Sequence, residues 1–151
     1  MNSVQLPVTM HHDNGSLSYS RMAYSNDMLT MYAAADVVVC RAGASTIAEV
    51  STVGVCGVIV PWKDAAENHQ LVNAKWLTDR GGAVLLEEDA LTAHAFSQLV
   101  TELLRDDDRR IAIAVRAREL GMRTGLPYAG GACEYEPQDP TRTKYQVSNT
   151  E

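Results

Sequence analysis

The period of the apolar positions changes several times along the chain, and each change marks an element. Over residues 1–25, Ser, Asn, His and Met follow one another with no sustained period, which predicts loop with at most one short strand. From Asn26 the pattern turns helical: Asn26 or Asp27 is placed to cap a helix carrying Met28, Leu29, Met31, Tyr32 and Ala35. Val37-Val38-Val39-Cys40 is a β-branched run of the kind found in strands buried on both faces. Arg41 to Thr46 ends that run, and Ile47, Ala48, Val50 and Val53 carry a second helix that Gly54 stops. Val58-Ile59-Val60 reads as the next strand, closed by Pro61. Leu71, Ala74 and Leu77 share one face of a helix around Asn68 to Asp79, after which Arg80-Gly81-Gly82 turns the chain into a strand over Ala83 to Leu86.

Thr92 caps the next helix, in which Phe96, Leu99, Val100, Leu103 and Leu104 form a stripe that is expected to be core. Asp106 to Asp108 reads as a solvated turn, and a last helix runs to about Leu120. Beyond Gly121 there are Gly, Pro, Thr and scattered charges with almost no periodic apolar residue, which predicts a disordered tail. Alternation of helix and strand predicts an α/β fold, a Rossmann-like parallel sheet with flanking helices. The boundaries that follow are an irregular N-terminal segment over 1–23, an α/β domain over 24–121 and a tail over 122–151.

Composition narrows the function. The 151 residues are 46% hydrophobic and 21% charged, enough apolar side chain for a core, and the single Phe and two Trp leave that core to Val, Leu, Ile and Ala. A net charge of −6 argues against nucleic acid as a partner, because phosphate affinity rests on Lys and Arg. Three Cys make no disulfide framework, and Cys40 and Cys56 lie in or beside apolar runs as small buried thiols. No basic segment leads into an apolar stretch at the N-terminus, and the apolar run Ala33 to Cys40, with Asp36 inside it, is far too short to span a membrane. A reducing, cytoplasmic setting is expected. His11-His12 has no partner at ligand spacing, so no metal is expected.

Two places carry candidate chemistry. At Gly43-Ala44-Ser45-Thr46 the chain passes from a strand into a helix, so free amides and the positive helix end could meet a phosphate at the carboxyl edge of the sheet. The same turn also reads as an ordinary helix start. Glu49, four residues after Ser45, faces the same way and suits a ribose diol, or is a solvated helix glutamate. The second place is Trp62 to Gln70, with Asn73 one turn further. Asn68, His69, Gln70 and Asn73 offer neutral donors and acceptors suited to sugar hydroxyls, although Asn68 also reads as an N-cap and His69 as an exposed helix residue.

With these residues in view, DMLTMYAAADVVVCRAGASTIAEV, GVIVPW and ENHQLVNAKWL together resemble the MurG-like UDP-N-acetylglucosamine glycosyltransferases of family 28, from Tyr24 to Leu120. The resemblance implies the C-terminal, donor-binding domain of a GT-B fold. It also implies transfer of N-acetylglucosamine from UDP-GlcNAc to an undecaprenyl-linked muramoyl-pentapeptide in peptidoglycan synthesis, with no cofactor. Position by position it implies that Tyr24 and Ser25 hold uracil through backbone groups, and that Gly43, Ala44, Ser45 and Thr46 meet the diphosphate. Glu49 then binds the ribose, and His69, Gln70 and Asn73 read the sugar, with Gln often standing in the family where this chain has His69.

The family's G-G-S loop and its acceptor-binding domain have no counterpart in the sequence. The chain is therefore expected to be about the last third of such an enzyme, weakly active or inactive alone, with the general base and the membrane-facing acceptor site on a missing N-terminal domain or a partner chain. The alternative is a non-catalytic UDP-sugar-binding subunit of a two-chain transferase. A UDP-GlcNAc 2-epimerase shares the fold, but its catalytic carboxylates and first Gly loop cannot be placed here.

Overall fold

The computed structural model describes residues 8–12, 15–19, 25–65 and 68–123. Its α/β unit is built on three parallel strands in the order β3-β4-β5, where β3 is Val37–Cys40, β4 is Cys56–Ile59 and β5 is Val84–Leu85. Five helices complete the order: α1 (Met28–Ala33), α2 (Ala44–Val53), α3 (His69–Thr78), α4 (Ala93–Arg105) and α5 (Asp107–Arg123). The central strand β4 is buried at all four positions, and the alternation of a strand divides its side chains between two clusters. Ile59 joins Val38, Ile47, Val50, Ala74, Leu77 and Ala117 on one side, while Cys56 and Val58 join Leu86, Leu103 and Ile113 on the other. Each fully buried Val, Leu or Ile contributes about 1.5–3 kcal/mol, so these two clusters carry the stability of the unit.

The helix ends follow from local chemistry. Gly54 closes α2 in the left-handed region at φ 72°, its N–H donating to Val50 O at 3.0 Å. Thr92 Oγ1 accepts from Ala95 N at 3.1 Å and starts α4. Asp106, expected only as part of a solvated turn, is a joint: its Oδ1 accepts from Arg109 N at 2.9 Å and opens α5. Arg110 Nη1 meanwhile donates to Leu103 O and Leu104 O at 2.8 and 2.9 Å, covering carbonyls that the end of α4 leaves free.

Several expectations need correction. The N-terminal segment, expected as irregular with at most one strand, contains an antiparallel hairpin of β1 (Val8–His12) and β2 (Gly15–Tyr19), with Met10 opposite Leu17, in a separate compact unit. The Asn14-Gly15 pair between two short runs was the available signal. The strand expected over Val58 to Val60 begins earlier, at Cys56, although Val60 N still donates to Cys40 O at 2.9 Å. Val39 is not buried; it is 42% exposed, and β3 lies at the edge of the described sheet. Of the stripe from Phe96 to Leu104 only Leu103 is fully buried, and Phe96 and Leu104 are exposed. Leu104 lies about 100° around the helix from Leu103, so the two do not share one face. The expected tail lies outside the described residues, except that α5 continues to Arg123.

Helix α5 approaches α2 closely at Gly121, where an added Cβ would sit 2.7 Å from Ser51 O and 2.8 Å from Ser51 C. Both atoms are backbone and have little room to move. Gly121→Ala is expected to cost about 1–3 kcal/mol through overpacking. In urea denaturation this appears as a lower midpoint with an unchanged slope; an unchanged midpoint would show that the helices can separate freely.

Candidate functional site

Because the strands are parallel, the connections that follow β3, β4 and β5 all leave from the same edge of the sheet. The first is Arg41-Ala42-Gly43, leading into α2. Gly43 is the N-cap, at φ −61° and ψ 145°, and no side chain caps the helix; Gly43 O accepts the first helical bond from Ile47 N at 2.9 Å. The first-turn amides of Ala44, Ser45 and Thr46 therefore have no intrahelical acceptor. Nothing within the described chain requires glycine at position 43: the backbone angles suit any residue, and a Cβ would meet only Thr46 Oγ1 at an ordinary 3.6 Å.

Glu49 lies one turn along α2, half-buried. Its charge acts on Tyr32, whose ring belongs to the core and whose hydroxyl is pushed up from its ordinary pKa, first by burial and then by the Glu49 charge.

Helix α3 ties two of the connections together. Gln70 Oε1 accepts from Ala42 N at 3.3 Å and from Trp62 N at 3.0 Å, and Asn73 Nδ2 donates to Ala42 O at 3.1 Å. Both main-chain groups of the fully buried Ala42, the residue before Gly43, are thus held by side chains of one helix. Asn68, just before α3, has φ 53° and makes no side-chain cap, and asparagine is among the few residues that accept this conformation readily.

A second tie comes from the short 3-10 turn Glu88–Ala90 after β5. One carboxylate oxygen of Glu88 pairs with Arg41 Nη1, and the other accepts from Lys63 N at 3.0 Å. Arg41 Nη1 reaches Val60 O at 3.4 Å, and Lys63 Nζ pairs with Asp89 Oδ1 at 2.9 Å. The Lys63 amide, followed by the Arg41 guanidinium, holds the Glu88 carboxyl below its ordinary pKa, and the bond to Asp89 raises that of Lys63.

The structure brings Gly43, Ala44, Ser45, Thr46 and Glu49 onto one turn and helix, and it joins Gln70 and Asn73 to that turn through Ala42. His69 is exposed at the start of α3. Ser25 precedes α1, its Oγ accepting from Asp27 N at 3.2 Å, and is grouped with the N-terminal unit; Tyr24 lies outside the described residues. Sequence reasoning missed Tyr32, Arg41, Lys63 and Glu88. The available signal for the last three was charge complementarity between residues that follow successive parallel strands.

An α/β unit with an uncapped helix N-terminus and a tethered glycine turn at the carboxyl edge of its sheet is of the Rossmann-like class. The chain belongs to the glycosyltransferase family 28 C-terminal domain family, whose model matches residues 2–123. It is 49% identical over 94 residues to the UDP-N-acetylglucosamine--N-acetylmuramyl-(pentapeptide) pyrophosphoryl-undecaprenol N-acetylglucosamine transferase of Xanthomonas campestris pv. campestris, covering 62% of this chain and 22% of that protein. The transferase of the same name from Aromatoleum aromaticum is 38% identical over 113 residues, covering 75% of this chain and 31% of the relative. A crystal structure of Acinetobacter baumannii MurG superposes with a TM-score of 0.60 at 35% identity, covering 68% of this chain and 32% of that one. The α/β, GT-B-type reading is thus correct, and the family match reaches further toward the N-terminus than Tyr24. The chain spans between 22% and 31% of the length of these two curated relatives.

Burial pushes the thiols of both Cys40 and Cys56 up to about 11, with the Glu49 charge adding to the shift at Cys40. Their folded pKa lies above the ordinary 9.0, so the native state keeps protons that the unfolded chain releases. The stability this supplies is complete below the unfolded value and is lost as pH climbs from 9.0 toward about 11. In a Cys133→Ser variant, which leaves only these two thiols, iodoacetamide alkylation of the native protein is expected to stay slow until that range. Rapid modification at neutral pH would contradict the burial.

Proposed function

We propose that this chain binds UDP-N-acetylglucosamine at the carboxyl edge of its sheet and forms the donor side of a transferase that passes N-acetylglucosamine to an undecaprenyl-linked muramoyl-pentapeptide. The observation that carries the reading is Gly43. A glycine that neither backbone angle nor packing demands, set before an uncapped helix end, is accounted for by a ligand that comes close to the main chain there. The printed function of the relatives supports the choice of ligand.

In this reading the amides of Ala44, Ser45 and Thr46 receive the diphosphate, and Glu49, close to Tyr32, accepts from the ribose hydroxyls. Backbone groups at Tyr24 and Ser25 hold uracil, and His69, Gln70 and Asn73 read the sugar. The ties to Ala42 and Trp62 occupy the oxygen of Gln70 and the nitrogen of Asn73, which leaves the Gln70 Nε2 donor and the Asn73 Oδ1 acceptor for hydroxyl groups.

The chemistry is an inverting displacement: the acceptor oxygen attacks the anomeric carbon, the bond to the diphosphate breaks, and UDP leaves with the electron pair. Negative charge grows on the leaving diphosphate, where fixed amides and the positive end of α2 stabilise it before any solvent could reorganise. The general base and the membrane contact are assigned to the acceptor side, at the cytoplasmic face. Among the described residues, no helix is long and apolar enough to cross a membrane. The 151-residue chain alone is expected to bind donor and to transfer sugar weakly or not at all.

Titration calorimetry of the whole chain with UDP and with UDP-GlcNAc tests this. Both are expected to bind. Gly43→Ala should weaken both by about tenfold or more by obstructing ligand approach, while leaving the urea midpoint unchanged. Failure of either ligand to bind at millimolar concentration would overturn the assignment, as would a Gly43→Ala variant that binds normally.

A further inference from the structure

We propose that Glu88 is a positioning residue that sets the spacing between the diphosphate turn and the sugar-reading connection, and so controls how strongly the chain prefers UDP-GlcNAc over UDP. The inference rests on the donor reading above, and its geometry is independent of that reading. Two consecutive residues after β3, Arg41 and Ala42, are joined to two consecutive residues after β4, Trp62 and Lys63. Gln70 makes one join, between Ala42 N and Trp62 N; Glu88 makes the other, between the Arg41 guanidinium and Lys63 N.

One tie leaves the Trp62-Lys63 segment free to swing about the Trp62 amide. A second tie at the next residue removes that freedom. The Glu88 side chain is 20% exposed and uses a separate oxygen for each partner, so it fixes both at once. An ion pair as open to water as Arg41, 52% exposed, adds little to global stability, so its loss should fall on local geometry. Asp89 sits beside Glu88 and holds only the Lys63 ammonium, with a side chain 83% exposed; it leaves the main chain untouched and serves as a control.

The spacing matters unequally for the two ligands. UDP rests on the glycine turn and on Glu49, which lie on α2 and its entry. The sugar also has to meet Gln70 and Asn73, so its fit depends on the second connection staying in register with the first. Loss of the Glu88 tie should therefore cost UDP-GlcNAc more than UDP.

Calorimetry with the whole chain, taking the ratio of the Kd for UDP to that for UDP-GlcNAc, tests the proposal. Glu88→Gln can still accept from the Lys63 amide but presents no carboxylate to Arg41, and Glu88→Ala removes both partners. The ratio is expected to fall about threefold for Glu88→Gln and about tenfold for Glu88→Ala, with UDP affinity within about twofold of the original. Asp89→Asn should leave the ratio as it was. Arg41→Met approaches the tie from the other end and also removes the longer contact to Val60 O, so in combination with Glu88→Gln the loss should fall short of the sum of the two single losses, because the ion pair is shared. If Glu88→Ala folds poorly, the Arg41→Met and Glu88→Gln pair decides.

An unchanged ratio in these variants, or an equal loss for both ligands, would overturn the role of Glu88 while leaving the donor site standing. If the unaltered chain binds neither ligand, the donor reading fails and this proposal fails with it.

Discussion

Strand β4 is flanked by a strand on each side and covered on each face, and the main chain that leaves it passes from the buried Val60 and Pro61 to the exposed Trp62 and Lys63 with its amides held in turn. Val60 N goes to Cys40 O. Pro61, buried, has no N–H to satisfy. Trp62 N goes to Gln70 and Lys63 N to Glu88. Both of these bonds are exposed, so they do not relieve buried donors; they fix the path of the main chain, and side chains from α3 and from the turn after β5 converge on this one stretch. The candidate site is the outer surface of that arrangement, so the residues that complete the fold at this edge are also the ones that shape the wall of the proposed donor site.

Much of this was legible in the sequence because the signals were local. The bounds of β3 follow from the run Val37 to Cys40, the end of α2 from Gly54, and the start of α4 from Thr92. The glycine turn and the Asn and Gln residues of α3 were singled out for the same reason: the signal lies in a few neighbouring positions. What was hidden depends on distance in sequence. Glu88 lies 47 residues from Arg41 and 25 from Lys63, and no period links them. Tyr32 looked like one more apolar residue of a short helix, and only the packing of α1 near α2 brings its hydroxyl within reach of the Glu49 charge. The Phe96 to Leu104 stripe misled for a different reason: helical spacing says which residues share a side, not how wide a surface awaits them.

Three glycines illustrate how far a residue type underdetermines its role. Gly54 is required by its backbone angle and Gly121 by the backbone of the helix beside it. Gly43 is required by neither, which is the ground for reading it as an approach to something outside the chain. Sequence alone placed Gly43 and Gly54 correctly as turn and stop. It took the space around each to show which glycines the chain itself demands and which it does not.

The tie between the two connections is made at main-chain nitrogen atoms, and this has a consequence for how the domain can change over time. The side chains of Trp62 and Lys63 are exposed and take no part in holding their own amides, so either position can be rewritten without loosening the wall. Proline is the exception, because it removes the donor itself. The edge of the sheet therefore combines a fixed scaffold with two variable positions, an arrangement in which drift at the rim is uncoupled from the geometry beneath it.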